Sequence, residues 1–393
     1  MFCRVGKTLF AFSQIPLPGS AQSVTVRCLF AQTSMGIDGY IKTRERIKVQ
    51  FLNLADNFRS KMLEFTNPTS NNMIFTEDLK SMVHLVENKP EDVELLQNMI
   101  SRFNRQNKEL RFGSFIFGPV VMRAFHYLNA PQVALKLFKD PELDGFFDQL
   151  VSYQVLMDLL YKNSMYKEVL EVFDIIQGKQ IHGPKYPKNV VILAMASCYK
   201  MNTKEYLDYA MNAWKKMLEL GHTPVRRAVT FAAALAINQN SPHIALEILS
   251  CTQHPNYITV RNLKVAALAD LGRASDALPI LRHIIETDVP EQTKQTFTMD
   301  VFDKLKRAVN ENGNQDLVKE FRNIEHCLRE GGHISDKVLD EHLCSEITVP
   351  NLPGRQMDDR NRAGFQDSLH QKPQYNYRNA PPRHYRQSLK DME

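Results

Sequence analysis

Five metal-capable side chains crowd one stretch of this sequence: His326, Cys327, His333, His342 and Cys344. Zinc centres need ligand pairs at short, regular spacings. These five fit no such pattern, and core cysteines with surface histidines account for them. Asp300, Asp303, Glu311 and Asp316 offer carboxylates of the kind a nuclease uses. Water-facing helices are rich in such residues, however, and no nuclease domain follows. There is no Gly-rich phosphate loop and no nucleophile elbow. The chain reads as non-enzymatic, with no catalytic residue, no metal site and no cofactor.

Cations are the remaining chemistry. Arg102, Arg105, Lys108 and Arg111 form the densest basic run, with Phe103, Phe112, Phe115 and Phe117 close by. Such a run is either a solvated helix face over core aromatics or an RNA contact. A second set, Lys372, Arg378, Arg383 and Arg386, alternates with Tyr375, Tyr377 and Tyr385. Arg and Tyr together stack on unpaired bases, although a solubilising tail has the same composition. The net charge of the 393 residues is only +5. Any nucleic-acid binding must therefore come from local placement of Lys and Arg.

The elements that would place them repeat. Ala134-Leu135-Lys136-Leu137-Phe138 returns as Val169 to Phe173, Ala210 to Trp214, Ala245 to Leu249 and Ala277 to Leu281. The steps are 35, 41, 35 and 32 residues. A period of that size means stacked helix pairs, none of which buries its own apolar face. In the cleanest unit, Val155, Leu156, Leu159 and Leu160 mark a first helix, and Asn163-Ser164-Met165 a turn. Val169, Leu170, Val172, Phe173 and Ile176 mark a second helix, closed by Gly178 and Gly183-Pro184. Lys162 and Lys200 hold the same late position in consecutive first helices. They would meet phosphates or simply solvate the helix ends.

These units resemble the pentatricopeptide repeat. Val151-Ser152-Tyr153-Gln154 matches its opening, and Ala210 to Pro224 matches its second half, with Trp214, Met217, Gly221 and Pro224 in register. Val229-Thr230-Phe231 and Leu271-Gly272-Arg273 match the opening and the mid-unit turn. The likeness covers about 116–293, with half-matches at 76–104 and 317–331. It implies an all-α, right-handed α-solenoid of helix-turn-helix repeats whose first helices line a groove for single-stranded RNA. Base-reading positions carried over from the family fall at Pro119, Gln154, Ile192, Ala232 and Asn262, with closing positions near Pro184 and Gln292. Only Gln154 and Asn262 of the first set have side chains that hydrogen-bond a base edge. The expected RNA-binding residues are thus Gln154, Asn262, Lys162 and Lys200. The implied role is support of transcript maturation, and so of the respiratory chain, with cleavage left to a separate processing nuclease. The alternative is a peptide-binding scaffold of the tetratricopeptide type, although the Trp and Leu-Gly which that repeat wants early in its first helix are missing.

From Met1 to Ile37 there is no Asp or Glu, while Arg4, Lys7 and Arg27 add charge and Ser and Thr are frequent. That is the profile of a mitochondrial import segment, and it points to the matrix. The six cysteines form no close pair, which argues for a reducing interior. No apolar run is long enough for a membrane span. The expected organisation is an import segment at 1–37, capping helices and a degenerate repeat at 38–115, core repeats at 116–293, C-terminal helices at 294–345 and a disordered basic tail at 346–393. Ile47, Phe51, Leu54, Phe58, Met62 and Phe65 predict one amphipathic helix from about Lys42 to Phe65. No sheet is expected.

Overall fold

A helix pair with a single apolar face must bury it against the next pair, and that stacking organises this chain. The computed structural model describes residues 29–110, 115–179, 185–287 and 294–347, almost all of them helical. Five helices come first: α1 (Gln32–Met35), α2 (Ile37–Phe51), α3 (Ala55–Thr66), α4 (Thr76–Leu85) and α5 (Pro90–Leu110). Six pairs follow: α6 (Gly118–Leu128) with α7 (Pro131–Lys139), α8 (Leu150–Lys162) with α9 (Tyr166–Lys179), and α10 (Lys188–Met201) with α11 (Lys204–Glu219). Next are α12 (Arg226–Asn238) with α13 (Pro242–Ser250), α14 (Ile258–Asp270) with α15 (Ala274–Glu286), and α16 (Met299–Glu311) with α17 (Gln315–Glu330). The short helix α18 (Leu339–Leu343) comes last.

The even-numbered helices from α6 to α16 pack side by side in one row. Second helices form the other layer, and those from α7 to α15 each touch their own first helix and the first helix of the next pair. The recurring phrase lies in this second layer. Its opening residues Ala134, Val169, Ala210, Ala245 and Ala277 are all 0% exposed, so a larger side chain there would push the layers apart. The aromatic or leucine four residues on is buried at Phe173, Trp214, Leu249 and Leu281.

The turn inside each pair is equally regular. Asn129, Ser164, Asn202, Asn240 and Gly272 all have left-handed backbone, with φ between 49° and 68°. In the first of these turns Ala130 N donates to Phe125 O at 3.0 Å, and in the last Arg273 N donates to Leu268 O at 2.9 Å. Those bonds satisfy the last carbonyls of the first helix and reverse the chain. Bonds between pairs keep the period too: Gln154 with Asn189, Lys179 with Asp144 and Tyr209 with Asp174 are each 35 residues apart.

Three expectations need correction. The predicted helix from Lys42 to Phe65 is two helices, broken between Phe51 and Ala55, and Leu54 is 60% exposed. The break lets α2 dock on α4 while α3 turns to α5. α2 buries Ile37, Tyr40 and Arg44 instead; Tyr40 Oη donates to Val83 O at 2.8 Å and Arg44 Nη1 to His84 O at 2.6 Å. A minimal sheet also exists: β1 (Phe297–Thr298) pairs in parallel with β2 (Ile334–Ser335). Finally, Leu29, Phe30, Met35 and Ile37 are core residues, so the folded chain reaches into the stretch expected to be an import segment. Residues 1–28 and 348–393, which hold most of that segment and the basic tail, lie outside the described residues.

Gly118 opens α6 against the loop before α8. A Cβ there would lie 2.8 Å from Phe146 O and would collide with the Gln149 side chain. Gly118→Ala should lower stability by about 1–3 kcal/mol. Gly178→Ala, where a Cβ meets nothing and the backbone is helical, should instead be neutral or stabilising. Urea denaturation of both variants checks this; an unchanged midpoint for Gly118→Ala would contradict the packing.

Candidate nucleic-acid interface

The first-helix row has one long side turned away from the second layer. In a groove open to solvent, polar residues would be exposed along it. Instead the row is covered: every residue of α10 from Val190 to Cys198 is buried, as is every residue of α12 from Ala228 to Ile237. Two segments outside the row rest on it. α1 rests on α8, and α18 rests on α12 and α14. The two segments meet where Phe30 bridges Ile347 in parallel; Ile347 N donates to Leu29 O at 2.9 Å and Ala31 N to Ile347 O at 3.1 Å.

The C-terminal segment forms a strap with a bond at almost every step. The β1–β2 pair fixes its start, helped by His333 Nδ1 on Gln295 O at 2.8 Å. Leu339 N, at the start of α18, donates to Asp300 Oδ2 at 3.1 Å. Lys200 Nζ, near the end of α10, lies 2.9 Å from Asp340 Oδ1 and 3.1 Å from Oδ2. Arg227 Nη1, at the start of α12, donates to Leu343 O at 2.7 Å and to His342 O at 3.3 Å. Its Nη2 donates to Ser345 Oγ at 2.8 Å.

The electrostatics follow from this contact. Burial opposes ionisation of Asp340, but the Lys200 ammonium outweighs it and holds the carboxyl below the usual carboxylate range. Burial alone would lower Lys200; Asp340 keeps its ammonium above the ordinary lysine value. Burial lowers Arg227 and raises the Cys344 thiol. Tyr199 and Tyr161, on α10 and α8, have their hydroxyls pushed up first by burial and then by Asp340 and Cys344 of the strap. Two cations and two tyrosines of consecutive first helices thus face the strap.

The four expected RNA-binding residues part ways here. Gln154 lies partly exposed near the start of α8, its Oε1 accepting from Asn189 Nδ2 at 3.0 Å. Lys162, at the end of α8, is partly exposed and pairs with no carboxylate among the described residues. Lys200 reaches the covered face, but Asp340 occupies it. Asn262 is a correction: it is 0% exposed and brackets β1. Its Nδ2 donates to Ile258 O and Thr296 O, and its Oδ1 accepts from Thr298 N at 2.9 Å. A polar side chain at the family's reading position here holds the next unit in place. Ile192 and Ala232 are buried, while Pro184 and Gln292 lie outside the described residues.

The basic run is also structural. Arg102 donates to Asn67 O, Ser70 O and Asn72 O, and so shapes the loop between α3 and α4. Lys108 donates to Glu142 O, and Arg105 pairs weakly with Glu142 at 3.4 Å. The side chain of Arg111 lies outside the described residues. No three His, Cys, Asp or Glu residues gather as metal ligands among the described residues. No described helix is long and apolar enough to cross a membrane. Arg227 and Asp340 were missed by sequence reasoning. Arg227 stands just ahead of the Val229-Thr230-Phe231 opening, a local signal that could have marked it. Asp340 had none, since it meets Lys200 across 140 residues.

No protein-family profile matches the chain. Among curated proteins it is similar to mitochondrial pentatricopeptide repeat-containing protein 2 of Pongo abelii, with 30% identity over 335 residues, 84% of this chain and 86% of that protein. The protein of the same name from Homo sapiens is 30% identical over 335 residues, 84% and 85% of the two chains. That from Mus musculus is 31% identical over 277 residues, 70% and 71%.

The burial of Asn262 yields a direct expectation. Asn262→Ala leaves Thr298 N and Thr296 O without their partner and should cost about 1–3 kcal/mol. Denaturation midpoints check this. A variant of undiminished stability with an altered RNA sequence preference would restore the base-reading role.

Proposed function

This chain belongs to the family of mitochondrial pentatricopeptide repeat-containing protein 2, and we propose that it is a mitochondrial RNA-binding protein that supports transcript maturation. It catalyses no step itself. Its helix pairs stack as a right-handed α-solenoid, and the first-helix row receives a short single-stranded RNA. The observation that carries this reading is the placement of Lys200 and Arg227 on adjacent members of that row, α10 and α12, with Tyr161 and Tyr199 beside them. Cations that track a backbone and aromatics that stack on bases are what a single strand needs.

The chemistry favours phosphate contact over base reading. Lys162 and Lys200 meet phosphates, and Gln154 addresses a base edge at the start of α8. The other first-helix reading positions carry Pro, Ile and Ala, or the buried Asn262, so sequence discrimination is weak. Bound protein blocks or exposes a processing site, and a separate nuclease cuts. Respiratory-chain function follows from the transcripts matured in the matrix. One observation favours a second reading, a peptide-binding scaffold: the face already holds a peptide, the strap from Asp336 to Ile347.

Filter binding from low to physiological salt separates the two. RNA affinity should be moderate and fall steeply with salt. Lys162→Ala with Lys200→Ala should weaken binding evenly across sequences, lowering the log–log salt slope by roughly 0.7 per lost phosphate contact. Gln154→Ala should shift sequence preference. Retention of no RNA even at low salt would leave the scaffold reading standing.

Import rests on residues ahead of Leu29, because Leu29 and Phe30 belong to the core. Residues 1–28 fused to a fluorescent reporter should carry it into mitochondria. A diffuse cytosolic signal would contradict the import reading.

A further inference from the structure

We infer that the acidic strap from Asp336 to Ile347 is an intramolecular stand-in for RNA, covering the phosphate-binding cations of the first-helix row so that RNA binds only as the strap leaves. The inference rests on the RNA reading above.

The chemistry of the contact comes first. A phosphate offers oxygen acceptors and negative charge. The strap offers the same to the same donors: the Asp340 carboxylate to Lys200, and two carbonyls with the Ser345 hydroxyl to Arg227. Its composition agrees. Asp336, Asp340, Glu341 and Glu346 outnumber the single cation Lys337. An acidic peptide on paired cations competes with a polyanion for one surface. Beyond the effect of burial, Asp340 and Cys344 of the strap also lie close enough to Tyr199 and Tyr161 to raise their hydroxyls.

The strap is held loosely enough to leave. Between Asp336 and Ile347 only Leu343 is fully buried, and Val338 is 48% exposed. Its bonds to Asp300 and through Ser345 face solvent, and those from Lys200 and Arg227 are only part-buried, which marks a segment of low local stability. Its two ends differ. The start is tied by β1–β2 and by Asp300, whereas the far end is held by the Phe30–Ile347 bridge. Loss of that bridge and of the Asp340 and Leu343 contacts frees residues 340–347 while the start stays tethered. A tethered competitor lowers the apparent affinity by the fraction of open molecules.

The test uses the full chain and a fluorescein-labelled oligouridine. Asp340→Asn with Leu343→Ser should tighten binding roughly tenfold. Asp208→Asn, an exposed carboxylate on α11, makes the same charge change away from the row and should alter affinity less than about twofold. If the double variant loses its cooperative melt, Asp340→Asn alone should still tighten binding. In the unaltered chain, amides 339–347 should exchange hydrogen faster when RNA is bound, because RNA displaces them. Equal affinities, with strap exchange unchanged or slowed by RNA, would overturn the stand-in and leave the RNA reading intact. No RNA retained by either chain at low salt would overturn both.

Discussion

The packing of first helices against one another is the contact on which the other features depend. Each inner first helix, from α8 to α14, has neighbours before and after it in the row and a second helix behind it, so only one side is left to meet anything else. Ala134, Ala210, Ala245 and Ala277 keep the second layer close enough for that row to form. Left-handed residues such as Asn129, Asn240 and Gly272 return the chain at the same point of each pair. Because the row is continuous, whatever lies on its remaining side spans several units at once. The strap does so, touching α10 through Lys200, α12 through Arg227 and α14 through α18.

This arrangement changes what the cations mean. Arg102, Arg105 and Lys108, the densest basic run in the sequence, are tied to carbonyls and to Glu142. The cations that face the strap are dispersed, Lys200 on α10 and Arg227 on α12. They reach one strap from opposite ends of neighbouring helices, Lys200 near the end of α10 and Arg227 at the start of α12. Their present partner is acidic and lightly buried. An unbound chain therefore keeps its charged face satisfied without an external ligand, avoiding the cost of desolvated, unpaired Lys and Arg.

Local chemistry was legible in the sequence, and long-range chemistry was not. The five phrases marked the second helices, and Asn163-Ser164-Met165 and Leu271-Gly272-Arg273 marked turns, because helix period and turn residues are encoded within a few positions. Asn262 shows where that stops. Its place in the repeat suggested a base reader, but its neighbours 34 and 36 residues on, Thr296 and Thr298, close around it. The stripe from Ile47 to Phe65 failed for a related reason: its steps of three and four run across a break, and α2 buries Ile37, Tyr40 and Arg44 instead. The acid-free composition of residues 29–37 says nothing of burial; Leu29 to Ala31 pair with Ile347, more than 300 residues away in sequence. Nor could the Lys200–Asp340 pair be foreseen, since nothing local to either residue names the other.

The account stands most directly on that pair. Treating the free protein with a zero-length carbodiimide cross-linker joins amines to carboxylates only when they touch. Mass spectrometry of the digest should find Lys200 joined to Asp340, two residues 140 positions apart whose Nζ and Oδ1 lie 2.9 Å from each other. A digest in which Asp340 is joined only to other amines, with Lys200 left unmodified, would contradict the covered face.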